Sequence, residues 1–175
     1  QIMSYQALNL CVNNFLEYVN SGNNPKVAQA MIKASNLAGQ AINITKTTAA
    51  HAWSYGMTKK YSIPHGHAVW VTLPKIFEIH AMCHSDSIRD PRGSKHLTLV
   101  MGNLIDILNI STKKDIGRYF DEMLTSIGIK ADIETDLGIN KEERLALSRD
   151  VNQQRLKNNP VSFSSSEVKR IFRLY

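Results

Sequence analysis

A chain of 175 residues with 43% hydrophobic and 21% charged residues has the size and balance of one ordinary soluble domain with its own core. Its apolar stretches fall far short of the roughly 20 residues that span a bilayer, the opening lacks a basic signal region, and the unpatterned Cys11 and Cys83 suit buried small hydrophobes in a reduced, cytoplasmic protein. The net charge of +6 is spread among acids, as in 113–118 and 141–144, without a basic stripe interleaved with aromatics; nucleic acid and membrane are therefore not expected partners, and a small anion such as a phosphonate or nucleotide phosphate fits the charge.

Helical signals follow one another along the chain. Apolar side chains at Ile2, Tyr5, Leu8, Val12, Phe15, Leu16 and Val19 keep a helical period whose start lies at or before Gln1. Asn24 and Pro25 form an N-cap and first-turn pair for a helix carrying Val27, Met31, Ala34, Leu37 and Ala41. Its small residues Ala34, Ala38 and Gly39 would admit a close neighbour. After Ile42 the β-branched, hydroxyl-rich run 43–48 favours a turn, and the next helix, holding His51, fades near Tyr61. Pro64 precedes a helix with Val69, Leu73, Ile76, Phe77 and Met82, which Pro74 should kink or break.

A polar loop is expected over 84–94 and a helix over 96–109. Thr112 with Asp115 reads as a capping box before a helix that stops at Gly128; Asn140 caps another, and Ser164 with Glu167 opens the last. These signals give an all-α multi-helix bundle of about seven to nine helices. The nine glycines are isolated, with no GxG and no alternating β and α pattern, so no dinucleotide-binding unit can be located.

The chemistry centres on His51 and His65. Fourteen positions interrupted by Pro64 cannot be one helix, so adjoining elements must deliver the two rings. Neutral imidazoles from two elements are a way to hold Zn²⁺ or Fe²⁺; capping or packing is the plainer role for each. Glu17, Glu78 and Asp86 could in principle add an acidic ligand but read as surface carboxylates, and His80 with His84 forms an i, i+4 pair at a helix end. Lys46, Thr47 and Thr48 precede the His51 helix, where amide N–H groups and the helix dipole favour an anion; simple N-capping by either threonine is the alternative.

The words Ala-Ile-Asn-Ile-Thr-Lys-Thr-Thr-Ala-Ala-His-Ala (41–52), Pro-His-Gly-His-Ala-Val (64–69) and Thr-Leu-Pro (72–74) resemble the iron-containing alcohol dehydrogenase family. The run 151–161 is similar to a C-terminal signature of a branch that includes phosphonoacetaldehyde reductases. The resemblance implies a dehydroquinate synthase-like C-terminal helical domain, with His51 and His65 as two of four ligands to a catalytic Fe²⁺ or Zn²⁺. It also implies two further ligands on a helix before Gln1, and NAD(P)H bound by an N-terminal α/β domain that this chain lacks. An isolated piece of that kind should hold metal poorly and be inactive. Tyr55 stands where many members carry a second histidine implicated in proton relay; a tyrosine hydroxyl can donate a proton but has an ordinary pKa near 10. His67 would lie near the metal without coordinating it, Trp53 would pack in the core, and Arg155, Asn158 and Asn159 would form a second polar cluster. The partner implied is a small aldehyde or alcohol, phosphonoacetaldehyde among the candidates, in an enzyme that can form a homodimer. Two other readings stay open: a Zn²⁺-dependent glycerol dehydrogenase or dehydroquinate synthase relative, and a non-catalytic helical interaction module.

Overall fold

The computed structural model describes residues 2–21, 23–130 and 132–175. Their helices are α1 (Ile2–Ser21), α2 (Pro25–Thr45), α3 (Ala49–Tyr61), α4 (His65–Met82), α5 (Gly93–Leu108), α6 (Ile116–Ser126), α7 (Lys141–Arg149), α8 (Gln153–Leu156) and α9 (Ser165–Ile171). The expected start at or before Gln1 lies outside the described residues. Among the described residues no helix is long and apolar enough to cross a membrane. Extended pairing is confined there to one antiparallel bridge, Ile88 with Val161, which pins the loop between α4 and α5 to the C-terminal segment.

The local end signals act as written. Asn24 accepts from the Lys26 N–H, and capping boxes form at Thr112, Asn140 and Ser164. Gly128 sits at φ 70° just after α6. Three expectations are met only in part. α2 runs on to Thr45 instead of turning after Ile42, because Thr45 settles its hydroxyl on the Ala41 carbonyl within the helix, at 2.9 Å. Gly39 meets no neighbour; Ala34 alone of the three small residues is fully buried. α4 continues through Pro74. The lost hydrogen bond costs about 3 kcal/mol, but this helix buries Val69, Ile76 and Ile79 on one core and packs Trp70 and Phe77 on another, each worth roughly 1.5–3 kcal/mol.

Those two cores define the architecture. One gathers Trp53 and Met57 of α3, Ile76 and Ile79 of α4, Leu147 of α7, and Ile171 and Phe172 at the C-terminus. Trp53 lies in it as expected, its indole N–H donating to the Ser148 carbonyl at 3.2 Å and its ring packing on Phe163 and Phe172. The other joins α4 to α5 and α6 through Leu97, Met101, Ile116 and Phe120. α1 and α2 form a hairpin against the second core. The apolar stripe of α1 is less buried than its period implies: Ile2, Leu16 and Val19 remain exposed. The central α3–α4 pair, held from both sides, carries the histidines.

Candidate metal and substrate site

α3 ends with Ser62 in the left-handed region at φ 55°, and Pro64 at φ −51°, ψ 137° sends the chain back as an extended strap with Ile63 buried beneath it. The strap carries the first residue of α4 alongside the first turns of α3. His51 and His65 consequently meet, with ring centroids 5.3 Å apart and planes at 62°. For two imidazoles on one tetrahedral cation with metal–nitrogen bonds of about 2.0–2.1 Å, the ring centres fall on the order of 5 Å apart. The spacing therefore fits a shared divalent ion. Burial lowers the His51 pKa, with the His65 ring and the Arg155 guanidinium adding to the effect; the imidazole is thereby kept neutral, the form a metal requires.

Around the pair the chain arranges three further groups. Ser54, fully buried one turn after His51, lies 3.0 Å from the His51 carbonyl and 3.3 Å from Nδ1 of His65. The Tyr55 ring, exposed to solvent, stands 5.5 Å from that of His65. Above Tyr55 sits Arg155 of α8, its Cζ 5.1 Å from the ring centroid, a cation–π contact. Arg155 also donates to the Thr47 hydroxyl, and Asn158 donates to the Thr47 carbonyl at 3.3 Å. Two clusters that are 108 residues apart in sequence thus become one.

The remaining candidates are placed elsewhere or differently. Thr48 holds the N-cap position of α3 without a side-chain capping bond, and Thr47 turns to Arg155, so neither threonine caps by its hydroxyl. Lys46, at φ 66°, folds its ammonium onto the Asn43 carbonyl of its own helix, 3.2 Å away. His67 bonds to the Lys130 carbonyl, tying α4 to the segment after α6. Asn159 leaves the Arg155 cluster and bonds to His80, which is buried and has its Nε2 occupied. Glu17 accepts from Asn24, Glu78 from Lys75 and Asp86 from Ser85. Among the described residues no group of three or more His, Cys, Asp or Glu could hold a metal, so His51 and His65 meet as a pair without a third such side chain. Ser54 carried no signal in the sequence, since a lone mid-helix serine reads as solvent-facing or bonded to its own backbone.

Residues 1–174 match the profile described as Fe-containing alcohol dehydrogenase family, C-terminal. The chain belongs to that family. Its relatives include the phosphonoacetaldehyde reductase of Streptomyces viridochromogenes, 33% identical over 75 residues, which are 43% of this chain and 19% of that protein. The 4-hydroxybutyrate dehydrogenase of Clostridium kluyveri is 24% identical over 95% of this chain and 44% of its own length. The 1,3-propanediol dehydrogenase of Citrobacter freundii is 28% identical over 96% of this chain and 42% of its own. The chain thus spans less than half the length of the curated relatives it matches. The family fold is shared with the crystal structure of sulfoacetaldehyde reductase from Bifidobacterium kashiwanohense in complex with NAD⁺, at a TM-score of 0.80 and 23% identity over 98% of this chain and 42% of that one. These matches favour the dehydrogenase family over the glycerol dehydrogenase or dehydroquinate synthase alternative.

Proposed function

We propose that this chain is the metal-bearing helical part of an NAD(P)H-dependent aldehyde reductase, with His51 and His65 supplying two of the ligands to an Fe²⁺ or Zn²⁺ ion. The observation that carries this is the meeting of the two rings at 5.3 Å, from separate helices, in a member of this family. A divalent cation bound there contributes Lewis-acid stabilisation to the oxygen of a carbonyl undergoing reduction. The Tyr55 hydroxyl, beside His65 and open to solvent, is the group to deliver a proton to the alcohol oxygen. The remaining ligands and the nicotinamide site belong to residues outside those described, in keeping with the greater length of the relatives and the absence of a GxG in the chain.

The substrate we infer is a small aldehyde with an anionic tail, a phosphonate such as phosphonoacetaldehyde being the first choice. Support comes from Arg155, held over Tyr55 with Thr47 and Asn158 beside it. A guanidinium recognises a phosphonate or sulfonate by bidentate hydrogen bonding. Relatives and structural neighbours named for phosphonoacetaldehyde and sulfoacetaldehyde add weight.

The test is calorimetric titration of the chain with Zn²⁺, alongside assays of NAD(P)H-dependent aldehyde reduction. Weak Zn²⁺ binding without turnover by the chain alone is expected. Joined to a nicotinamide-binding domain of the family, it should reduce phosphonoacetaldehyde, with both properties lost in His51→Ala and in His65→Ala. Binding and activity unchanged in these variants would make the histidines structural and return the interaction-module reading.

A further inference from the structure

Ser54 has no exposed surface, and its one hydroxyl touches both candidate ligands: the backbone carbonyl of His51 at 3.0 Å and Nδ1 of His65 at 3.3 Å. A serine hydroxyl carries a single proton. The carbonyl can only accept, and it is the shorter contact, so the proton goes to His51. Oγ then offers a lone pair to the imidazole, and Nδ1 must bring the hydrogen.

We propose that Ser54 is a positioning residue that fixes His65 as the Nδ1–H tautomer, leaving Nε2 as the nitrogen offered to a divalent cation. The inference rests on the metal reading of His51 and His65 and adds to it the choice of ligating atom. A ligand imidazole whose other nitrogen donates to a fixed oxygen is held both in tautomer and in ring orientation. Here the fixing oxygen belongs to the helix of the other ligand. One buried hydroxyl therefore ties the ring from α4 to the backbone of α3, and the helix pair carries the spacing of the two imidazoles with it.

Two measurements on the 175-residue chain test this, made well above the ordinary imidazole pKa of about 6.5 so that the rings are neutral. Nitrogen-15 NMR of histidine-labelled protein reads which ring nitrogen of His65 bears the hydrogen, and Zn²⁺ titration reads affinity. Wild type should give the Nδ1–H pattern. Ser54→Ala should move His65 toward Nε2–H and weaken Zn²⁺ binding about 10- to 100-fold, while Ser54→Thr, which keeps the hydroxyl, should retain the wild-type tautomer. An Nε2–H pattern in wild type overturns the proposal without recourse to any variant; so does a Ser54→Ala protein with tautomer and affinity unchanged. If the tautomer follows Ser54 but wild type takes up no Zn²⁺, the metal reading falls and the assignment of the hydrogen stands. If Zn²⁺ binding depends on His51 but neither readout responds to Ser54→Ala, the metal reading stands and the role of Ser54 falls.

Discussion

Asn159 donates through Nδ2 to Nε2 of His80 at 3.0 Å, and through the same nitrogen to the Val161 carbonyl at 2.6 Å, so a side chain from the C-terminal segment closes over α4. The contact requires a neutral imidazole with a free lone pair on Nε2. Burial enforces that state, bringing the His80 pKa down to about 4 from an ordinary 6.5, against a small opposing pull from Glu167. Because the folded value is the lower one, the unfolded chain binds the proton first as pH falls. The stability contribution is complete above pH 6.5 and is lost on acidification toward pH 4, by roughly 3 kcal/mol. Urea denaturation midpoints across that range should fall steeply in wild type and less in His80→Gln. Equal slopes would mean that His80 does not control the transition.

Arg155 rather than Lys46 should govern selectivity for an anionic aldehyde. The Lys46 ammonium is turned back onto Asn43, while the guanidinium lies over Tyr55 and close enough to His51 to influence its protonation. A charge-assisted hydrogen bond of about 1.5–3 kcal/mol corresponds to a KM change on the order of 10- to 100-fold. In the active enzyme Arg155→Ala should raise KM for phosphonoacetaldehyde by that amount and leave a neutral aldehyde nearly unchanged, with Lys46→Ala well below it. A uniform effect on both aldehydes would remove the anion from the reading.

These sites mark the boundary of what the sequence made legible. The capping signals at Asn24, Thr112, Asn140 and Ser164 were readable because each involves partners two or three residues away. The histidine pair was readable because Pro64 forces a break between the rings. The four-residue α8 was not, since its Asn152 cap carries too little periodicity to stand out, and its Arg155 finds Thr47 and Tyr55 only through tertiary packing. Pro74 does not break α4 for the converse reason: the local penalty is offset by burial on both sides of the helix. His80 looked like a polar residue at a helix end, and only the return of the segment around Asn159 shows it to be interior.

Gly117 of α6 lies against the Glu78 carboxylate of α4, so closely that any Cβ there would overlap the Glu78 side chain. Glu78 is meanwhile held by Lys75 and approached by Arg170 at 3.9 Å. Gly117→Ala must push that carboxylate out of its ion pairs, at a cost of about 1–3 kcal/mol despite the better helix propensity of alanine. In a Glu78→Ala background the same change should cost little. The double-mutant cycle measured by chemical denaturation checks this, and additive effects would show that the two residues do not press on each other.

Arg144 is 2% exposed and makes two backbone contacts, the second of them to the C-terminal segment: Nη1 donates to the Ile139 carbonyl at 2.9 Å and Nη2 to the Arg173 carbonyl at 3.1 Å. Its ion pair with Glu134, at 3.1 Å, involves a carboxylate that is 55% exposed, and such a pair contributes less than about 1 kcal/mol. The carbonyls should therefore decide the energetics. Arg144→Met would leave the Ile139 and Arg173 carbonyls without this donor and should lower unfolding free energy by roughly 3 kcal/mol. Glu134→Gln should change it by a few tenths at most. Arg144→Lys should fall close to Arg144→Met, because one ammonium cannot reproduce the planar fork that reaches both carbonyls. Were Glu134→Gln as damaging as Arg144→Met, the ion pair and not the backbone contacts would carry the stabilising contribution of Arg144.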